Sequence, residues 1–267
     1  MSKCFQTILS NRSLGLKGQI YVPSDKSISH RALILGSLAV GKTSVSGLLE
    51  SEDVFKTANG LKALGVDIYK ESDHWCVHGV GIGGFCEPDD IIDCGNSGTS
   101  VRLLMGLVTT CPIKVTFTGD DSLRKRPMDR VINPLSYFGA TFSSNYDCKL
   151  PINVIGSNEP VPINFNLKIP SAQVKSAILL AGLNVRGKTT VLENEPTRDH
   201  TEKMLQHLGA NIQILKKESS NIISVSGFPK LNPSIISIPG DISSAAFPIA
   251  LACMIPNSEI IIKNVGL

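Results

Sequence analysis

The stretch VPSDKSISHRALILGSL, residues 22–38, decides the architecture of this 267-residue chain because its outline returns three more times. The later copies are CGNSGTSVRLLMGLV (94–108), IPSAQVKSAILLAGL (169–183) and IPGDISSAAFPIALACM (238–254). In each copy a Pro or Gly follows a β-rich run, and small polar residues then lead into an apolar stretch at helical spacing. The Pro or Gly positions that open the copies lie 72, 75 and 69 residues apart. A near-constant period of this length indicates repeated supersecondary units.

A second set of features repeats in register with the first. Each of the first three apolar helices is followed by a β-like run: GKTSVSGLL (41–49), IKVTFTGDDSL (113–123) and GKTTVLENE (187–195). An amphipathic helix then ends at Gly65, Gly139 or Gly209, where glycine suits the left-handed residue just past a helix end. The sequence therefore predicts an α/β protein with three complete βαβαββ repeats and the start of a fourth. Because the fourth copy stops at Leu267, before its second helix, we expect the parent protein to continue beyond it.

Composition and charge limit the classes of function and the cellular locations that we expect for this chain. Hydrophobic residues make up 42% of the chain and charged residues 18%, and the net charge is only +3. We expect neither a nucleic-acid partner nor a membrane segment, since no apolar run approaches the roughly 20 residues that span a bilayer. The seven cysteines include no Cys-x-x-Cys pair, which favours reduced thiols and a cytoplasmic location.

Two motif matches do not predict the sites they resemble. Gly36–Thr43 and Gly182–Thr189 match the phosphate-binding pattern G-x-x-x-x-G-K-T, but that pattern requires a strand before it and a helix after it. Here the order is reversed, so both matches predict a helix-to-strand turn. His74, Cys76 and His78 alternate along one strand face, which is the period of an ordinary strand. We predict no metal site.

Cations and small polar residues recur at equivalent ends of three repeats. They are Lys26, Ser27, Arg31, Asn96, Gly98, Thr99, Arg102, Arg126, Ser171, Gln173 and Arg198. The free N–H groups and dipole of a helix start favour negative charge, and arginine presents a planar fork to carboxylate or phosphate. If the repeats pack in parallel, the cations converge on a small ligand with several negative groups. The alternative from the residues alone is a set of ordinary Ser/Thr caps beside a solvated basic face.

Five motifs together resemble one enzyme family. PSDKSISHR (23–31), GNSGTSVRL (95–103), KRPMDR (125–130), PSAQVKSA (170–177) and TRDHTEKM (197–204) stand in the order and spacing of the 5-enolpyruvylshikimate-3-phosphate synthases. The family is also called 3-phosphoshikimate 1-carboxyvinyltransferase. The forms SAQVKSA and TRDHTEKM resemble its bacterial class II branch. The resemblance extends over nearly the whole chain.

The resemblance implies a fold, domains and a reaction. The fold is enolpyruvyl transferase-like, an inverse α/β barrel of six repeats in two domains that close on a cleft. The first domain would span 22–238, and 1–21 and 239–267 would belong to the second. The reaction moves the enolpyruvyl group of phosphoenolpyruvate to the 5-hydroxyl of shikimate 3-phosphate and releases phosphate, on the pathway to chorismate and the aromatic amino acids. The family uses no metal or organic cofactor and is the target of glyphosate, and we expect a cytoplasmic monomer.

The resemblance also assigns residues. Shikimate 3-phosphate would be bound by Lys26, Ser27, Arg31, Ser171, the backbone of Ala172, Gln173 and Arg198. Phosphoenolpyruvate would be bound by Lys26, Asn96, Gly98, Thr99, Arg126 and Gln173. Lys26, which faces both ligands, would be catalytic. Gly98 leaves room for glyphosate, which a methyl group would crowd.

Two features leave alternatives open. The family's proton-transfer groups, an Asp and a Lys-Glu pair, belong to the second domain, and no residue here matches them. We therefore expect the chain alone to bind shikimate 3-phosphate weakly and not to turn over. One alternative is UDP-N-acetylglucosamine enolpyruvyl transferase, whose pattern has Lys-Asn where Lys26 and Ser27 stand and uses a loop cysteine, for which Cys111 is the only candidate. The other is a non-catalytic half-protein that binds ligand.

Overall fold

The computed structural model describes residues 9, 11, 13–144, 147–217 and 220–266. These divide into two compact units: the described residues up to Asp25 with those from Pro239 onward, and Lys26–Ile238. The units divide after Asp25 and before Pro239, and the predicted limits of the first domain are residues 22 and 238. Residues 1–8, 10 and 12 of the predicted N-terminal segment, and Leu267, lie outside the described residues. The assignment of the units to the family's two domains stays a prediction.

Helices and strands alternate along the chain. The helices are α1 (Lys26–Leu38), α2 (Glu52–Ala63), α3 (Gly98–Val108), α4 (Asp121–Arg124), α5 (Asp129–Ser136), α6 (Ala172–Gly182), α7 (His200–His207) and α8 (Ile242–Met254). The strands are β1 (Lys17–Tyr21), β2 (Gly41–Ser46), β3 (Asp67–Glu71), β4 (His74–Gly79), β5 (Ile92–Asp93), β6 (Lys114–Thr118), β7 (Thr141–Ser144), β8 (Ile152–Ile155), β9 (Asn164–Leu167), β10 (Lys188–Glu193), β11 (Ile212–Lys217), β12 (Ser220–Ser226), β13 (Ile235–Ser237) and β14 (Glu259–Lys263).

The described residues of Lys26–Ile238 form three four-stranded sheets that share one order of parallel and antiparallel strands. Their strand orders are β13-β2-β4-β3, β5-β6-β8-β7 and β9-β10-β12-β11. In each, the first two strands are parallel and the other neighbours antiparallel, as repeated βαβαββ units require. The first sheet takes its leading strand from far along the chain, because β13 pairs with β2 from Ile235 opposite Ser44 to Ser237 opposite Ser46.

The first helices of the repeats form the centre of this unit. In α1 the side chains of Ala32–Leu35 are fully buried, and α3 and α6 are mostly apolar and are buried along most of their length. A helix that is apolar all round belongs inside a core. The α3 and α6 backbones approach so closely that a Cβ built on Gly106 would lie 2.6 Å from the carbonyl oxygen of Ala177. Strands such as β8 alternate buried and exposed residues, so one face of each sheet joins the core.

Several local predictions are confirmed. The glycines that end the outer helices have left-handed backbones: φ is +95° at Gly65, +96° at Gly139 and +93° at Gly209. Both phosphate-loop matches are helix-to-strand turns, one between α1 and β2 and the other between α6 and β10.

The antiparallel pair of β3 and β4 carries the alternating histidines and cysteine. Glu71, His74 and Cys76 hold their ligand atoms within 4.8 Å of one another, while the ring of His78 stacks on Tyr69. Glu71 Oε2 also accepts a hydrogen bond from Lys42 Nζ at 2.7 Å. The Lys42 ammonium therefore already supplies the positive charge that a metal ion would bring to the Glu71 carboxylate.

The other unit is built from β1, α8 and β14. β1 and β14 pair in parallel, from Lys17 opposite Glu259 to Tyr21 opposite Lys263. Asp241 caps α8 by accepting hydrogen bonds from the amides of Ser243 and Ser244 at 2.9 and 3.2 Å. None of the helices in the described part of the chain has both the length and the apolar character needed to cross a bilayer.

Candidate functional site

Most predicted site residues within Lys26–Ile238 lie in the first two turns of a helix, whereas Arg126 lies in the loop after α4 and Arg198 lies just before α7. Lys26 is the first residue of α1, and Gly98 is the first residue of α3. Ser97 caps α3 through a 3.1 Å hydrogen bond from the Ser100 amide, and Ser171 caps α6 through one of 3.3 Å from the amide of residue 174. The capping interpretation of these serines is therefore correct, and any ligand has to use the remaining donors of each helix start.

Gln173 connects the second and third repeats. Its side-chain amide donates to Thr99 Oγ1 at 2.9 Å, and its carbonyl oxygen accepts from Arg102 Nη1 at 2.9 Å. Arg102 also donates to the carbonyl of Gly98 at 3.2 Å. The starts of α3 and α6 thus present their polar side chains to one another.

Arg31 connects the first repeat to the third. Its Nε donates to Thr201 Oγ1 at 2.7 Å and its Nη2 to Ser176 Oγ at 2.8 Å, and these two hydroxyls lie 2.7 Å apart. Arg31 is only 4% exposed, so its guanidinium joins α1, α6 and α7. Beside it, Arg198 Nη1 donates to Ser27 Oγ at 3.4 Å from an exposed position.

Two guanidinium groups converge on Gly98. A Cβ built on this glycine would lie 2.6 Å from Arg102 Nη1 and 3.3 Å from Arg126 Nη1. Arg126 Nη2 donates to the Asn96 side-chain oxygen at 2.7 Å. The pKa of Arg102 is lowered by burial and by the positive charges of Arg126 and Arg130. The open side of Gly98 is therefore a place of concentrated positive charge.

Lys26 has a carboxylate partner that the sequence did not identify. Its ammonium forms an ion pair with Asp53 in the first turn of α2, and the side chain of Lys26 is 49% exposed. Acidic residues are common in the first turn of any helix, so the position of Asp53 gave no distinguishing signal. A ligand anion at Lys26 would share this ammonium with Asp53.

A buried chain of hydroxyl groups links the starts of α1 and α3. His30 Nδ1 lies 2.7 Å from Thr57 Oγ1, which lies 2.6 Å from Ser100 Oγ. Ser100 in turn donates to the Ser97 cap at 2.6 Å. Burial, aided by the Lys26 charge, lowers the pKa of His30 to about 3, so the imidazole is neutral and acts as a hydrogen-bonding group.

A buried ion cluster lies behind the start of α7. Lys175 Nζ lies 3.1 Å from both carboxylate oxygens of Glu193 and 2.7 Å from Glu202 Oε1, and these side chains are 1–2% exposed. Burial raises the pKa of Glu202. Sequence reasoning assigned this cluster no role, although a lysine inside the apolar helix KSAILLAGL does require a buried acidic partner.

Known proteins resemble this chain closely. A family model described as EPSP synthase (3-phosphoshikimate 1-carboxyvinyltransferase) matches residues 11–267. The 3-phosphoshikimate 1-carboxyvinyltransferases of Ruegeria sp. (strain TM1040) and Novosphingobium aromaticivorans are 52% identical over 259 residues and 53% identical over 254 residues. These alignments cover 97% and 94% of this chain and 58% of each relative.

A solved structure extends the match to the fold. The 2.37 Å structure of EPSP synthase from Acinetobacter baumannii superposes with a TM-score of 0.86 at 40% sequence identity, covering 95% of this chain and 56% of that one. The inverse α/β fold that the resemblance implies is therefore confirmed. The chain spans little more than half the length of these relatives. On the family model, the identity to the relatives and the shared fold, this chain belongs to the EPSP synthase (3-phosphoshikimate 1-carboxyvinyltransferase) family.

Proposed function

We propose that this chain binds shikimate 3-phosphate and phosphoenolpyruvate at the starts of α1, α3 and α6 and takes part in enolpyruvyl transfer between them. The observation that carries the proposal is the pair of hydrogen bonds from Gln173 to Thr99 and from Arg102 to Gln173. These hydrogen bonds join side chains of two repeats, which supports their binding one small ligand together. Contacts of Arg31 and Arg198 add the first repeat to the same group.

Shikimate 3-phosphate is assigned to the side formed by α1, α6 and the residues before α7. Arg198 is exposed and donates to the Ser27 hydroxyl, so its remaining donors are available to a phosphate. Ser171 and the Ala172 amide stand at the start of α6, where the helix dipole favours an anion. Ser27 and Arg31 would face the carboxylate and ring hydroxyls, and Gln173 would contact both ligands.

Phosphoenolpyruvate is assigned to the side formed by α3 and the loop after α4. Gly98 has no side chain to occupy the space that the Arg102 and Arg126 guanidiniums face. Asn96, hydrogen-bonded to Arg126, and Thr99, hydrogen-bonded to Gln173, border that space. A phosphate there would accept charge-assisted hydrogen bonds of the strong kind.

Lys26 is the residue for which a catalytic role is proposed. In enolpyruvyl transfer the methylene carbon of phosphoenolpyruvate gains a proton, while the 5-hydroxyl of shikimate 3-phosphate loses one and its oxygen bonds to the carbon that carries the phosphate. The new methyl group then loses a proton as the bond from that carbon to the phosphate oxygen breaks, which restores the double bond and releases phosphate. The Lys26 ammonium, half exposed beside Asp53, would offset the negative charge of both ligands as they approach each other. No residue of this chain is assigned to any of these proton transfers.

The UDP-N-acetylglucosamine alternative has less support. Its loop cysteine would have to be Cys111, which is 1% exposed and directs Sγ toward the carbonyl of Leu107 at 3.4 Å. Burial raises the pKa of Cys111 to about 11, so the thiol does not ionise at neutral pH. A cysteine in this state is neither a nucleophile nor a ready proton donor.

Calorimetric titration of the 267-residue chain tests the proposal. We expect saturable binding of shikimate 3-phosphate with one site per chain, and no binding of UDP-N-acetylglucosamine. Binding of the nucleotide sugar alone would overturn the assignment.

A second experiment separates an enzyme from a non-catalytic binding protein. The part of the Ruegeria relative outside its alignment with this chain is purified and mixed with the chain, and phosphate release from the two substrates is measured. Release by the mixture is expected, with none from either part alone. A chain that binds shikimate 3-phosphate but never supports release would be the non-catalytic form.

Location and assembly are also proposals. The six described cysteines, Cys76, Cys86, Cys94, Cys111, Cys148 and Cys253, are free thiols, which supports a reducing compartment such as the cytoplasm. We propose that the chain is a monomer, to be checked by sedimentation with and without shikimate 3-phosphate.

A further inference from the structure

We propose that Lys175, Glu193 and Glu202 form a positioning unit that sets the places of Arg31 and Arg198 for shikimate 3-phosphate. The inference deepens the proposed function and rests on it for the identity of the ligand. The three residues do not contact the proposed ligand. They are positioning residues, and their effect passes through named hydrogen bonds to the two arginines.

The first connection runs from Glu193 to Arg198. Glu193 is the last residue of β10, and its Oε1 accepts the amide N–H of Thr197, four residues further on. The same carboxylate is held by Lys175 through both of its oxygens at 3.1 Å. The loop 194–197 is therefore closed onto a buried anchor directly before Arg198.

The second connection runs from Glu202 to Arg31. On α6, Lys175 and Ser176 are consecutive, and on α7, Thr201 and Glu202 are consecutive. Lys175 pairs with Glu202 at 2.7 Å, and the hydroxyls of Ser176 and Thr201 lie 2.7 Å apart. Two adjacent cross-links of this kind fix both the rotation and the axial position of α7 against α6.

Arg31 is bonded to both hydroxyls of the second cross-link. It donates to Thr201 Oγ1 at 2.7 Å and to Ser176 Oγ at 2.8 Å. A shift of α7 along α6 would separate these acceptors, so the guanidinium could no longer reach both. The orientation of the Arg31 guanidinium therefore depends on Lys175 and Glu202, which are the sequence neighbours of Ser176 and Thr201.

The cluster contains one carboxylate more than its charge balance requires, which suits a positioning role better than a purely stabilising one. Two buried carboxylates share one ammonium, although a single carboxylate would balance it and would avoid burying a further acidic group. The additional carboxylate is what connects a second element, because Glu193 belongs to β10 and Glu202 to α7. One lysine therefore holds two segments that each lead to an arginine of the proposed site.

Amide exchange tests the first connection without any substitution. In the unchanged chain, the Thr197 amide should exchange at least about a hundredfold more slowly than a free peptide, because its N–H is bonded to a buried carboxylate. Exchange at the rate of a free peptide would overturn the proposal.

A matched pair of variants tests the whole unit. Glu193→Gln keeps the size of the side chain but places an NH₂ group against the donors of Lys175 or Thr197. Glu195→Gln makes the same change two residues away on an exposed side chain and is the control. We expect Glu193→Gln, but not Glu195→Gln, to speed Thr197 exchange and to weaken shikimate 3-phosphate binding roughly tenfold, the loss of about one hydrogen bond to a charged group.

Titration distinguishes positioning from loss of folded protein. A structural defect lowers the number of binding sites per chain and leaves the dissociation constant of the folded molecules unchanged. The proposal requires an altered dissociation constant at one site per chain. An unchanged constant in Glu193→Gln would overturn it.

The two proposals fail in different ways. A wild-type chain that does not bind shikimate 3-phosphate overturns the proposed function, whereas the exchange of Thr197 still decides whether Glu193 holds the loop. Should Glu193→Gln not fold, the exchange of Thr197 in the unchanged chain still tests the first connection, and exchange at the rate of a free peptide would still overturn the proposal.

Discussion

Lys26 and Lys175 are both paired with carboxylates, and they differ in what surrounds them. The side chain of Lys26 is 49% exposed and its partner Asp53 is 21% exposed, whereas Lys175 and its partners are 1–2% exposed. An ion pair in contact with water contributes little to stability and exchanges partners easily, while a buried one cannot lose a member without leaving an uncompensated charge. The first environment suits a residue that receives a ligand, and the second suits one that supports the site from behind.

The largest expected effect is that of Lys175→Met. Removing the ammonium leaves the Glu193 and Glu202 carboxylates buried without a cation, which should lower the free energy of unfolding by about 3–5 kcal/mol. Urea denaturation, monitored by circular dichroism, measures this loss of unfolding free energy. Lys203→Met is the control, since Lys203 is exposed and pairs with Asp199 one helical turn away, and it should not change stability measurably. Equal effects of the two variants would contradict the contrast between buried and exposed lysines.

Lys26→Met should weaken ligand binding and leave the free energy of unfolding nearly unchanged. We expect the free energy of unfolding to change by less than about 1 kcal/mol, because the ion pair with Asp53 is exposed. Shikimate 3-phosphate binding should weaken by roughly 10-fold to 100-fold, the loss of about one charge-assisted hydrogen bond. Calorimetric titration measures the affinity, with Lys62→Met, an exposed charge on α2, as the control. Unchanged affinity would remove Lys26 from the binding group.

Like Lys175, His30 is buried, and its burial should make the free energy of unfolding depend on pH. Its pKa is about 3 in the folded protein and near 6.5 when unfolded, so between these values the unfolded chain binds the additional proton. Stability from this group is complete above about pH 6.5 and is lost as the pH falls toward 3, by up to about 1.4 kcal/mol per pH unit.

The unfolding free energies of wild type and His30→Gln, measured from pH 7 to pH 5, provide the check. The variant should show the shallower loss of stability as the pH is lowered. Identical slopes would mean that His30 takes up its proton in the folded state.

Gly98→Ala should give the smallest change in free energy among these variants, and the change should appear in phosphoenolpyruvate binding. The new methyl group would meet the Arg102 and Arg126 guanidiniums, which are the ends of flexible side chains and can move aside. We expect a cost of roughly 1 kcal/mol, or about fivefold, in phosphoenolpyruvate affinity, with an unchanged urea midpoint.

Glyphosate gives the matching readout at the same position. Titrations of both ligands, in the presence of shikimate 3-phosphate, should show a greater loss for glyphosate than for phosphoenolpyruvate. A variant with unaltered affinity for both would show that neither ligand approaches Gly98.

The repeats and the helix starts could be predicted from sequence because their signals are local. Proline, glycine and small polar residues mark where a strand ends and a helix begins, and Gly65, Gly139 and Gly209 were read correctly as left-handed helix ends. The family motifs then supplied the candidate residues. Local signals could also separate both phosphate-loop matches from true ones, since the order of strand and helix is visible in the sequence.

The remaining features depend on residues distant in sequence. Lys175 pairs with Glu193 and Glu202, and an isolated helix pattern does not identify which acids meet a buried lysine. Arg102 was noted as a cation but not assigned a ligand, and its contact with Gln173 crosses 71 residues. Asp53 occupies an ordinary place for an acid, so only the folded chain reveals its contact with Lys26.

The pairing of β13 with β2 has a consequence for synthesis. Ser44 leaves the ribosome long before Ile235, its partner in the sheet, because the 190 residues between them must be made first. Until then one edge of β2 presents unpaired backbone groups, the kind of edge that recruits strands from other molecules. The first sheet should therefore close last, and the nascent chain should need protection at that edge while the second and third repeats are already folding around their own local strands.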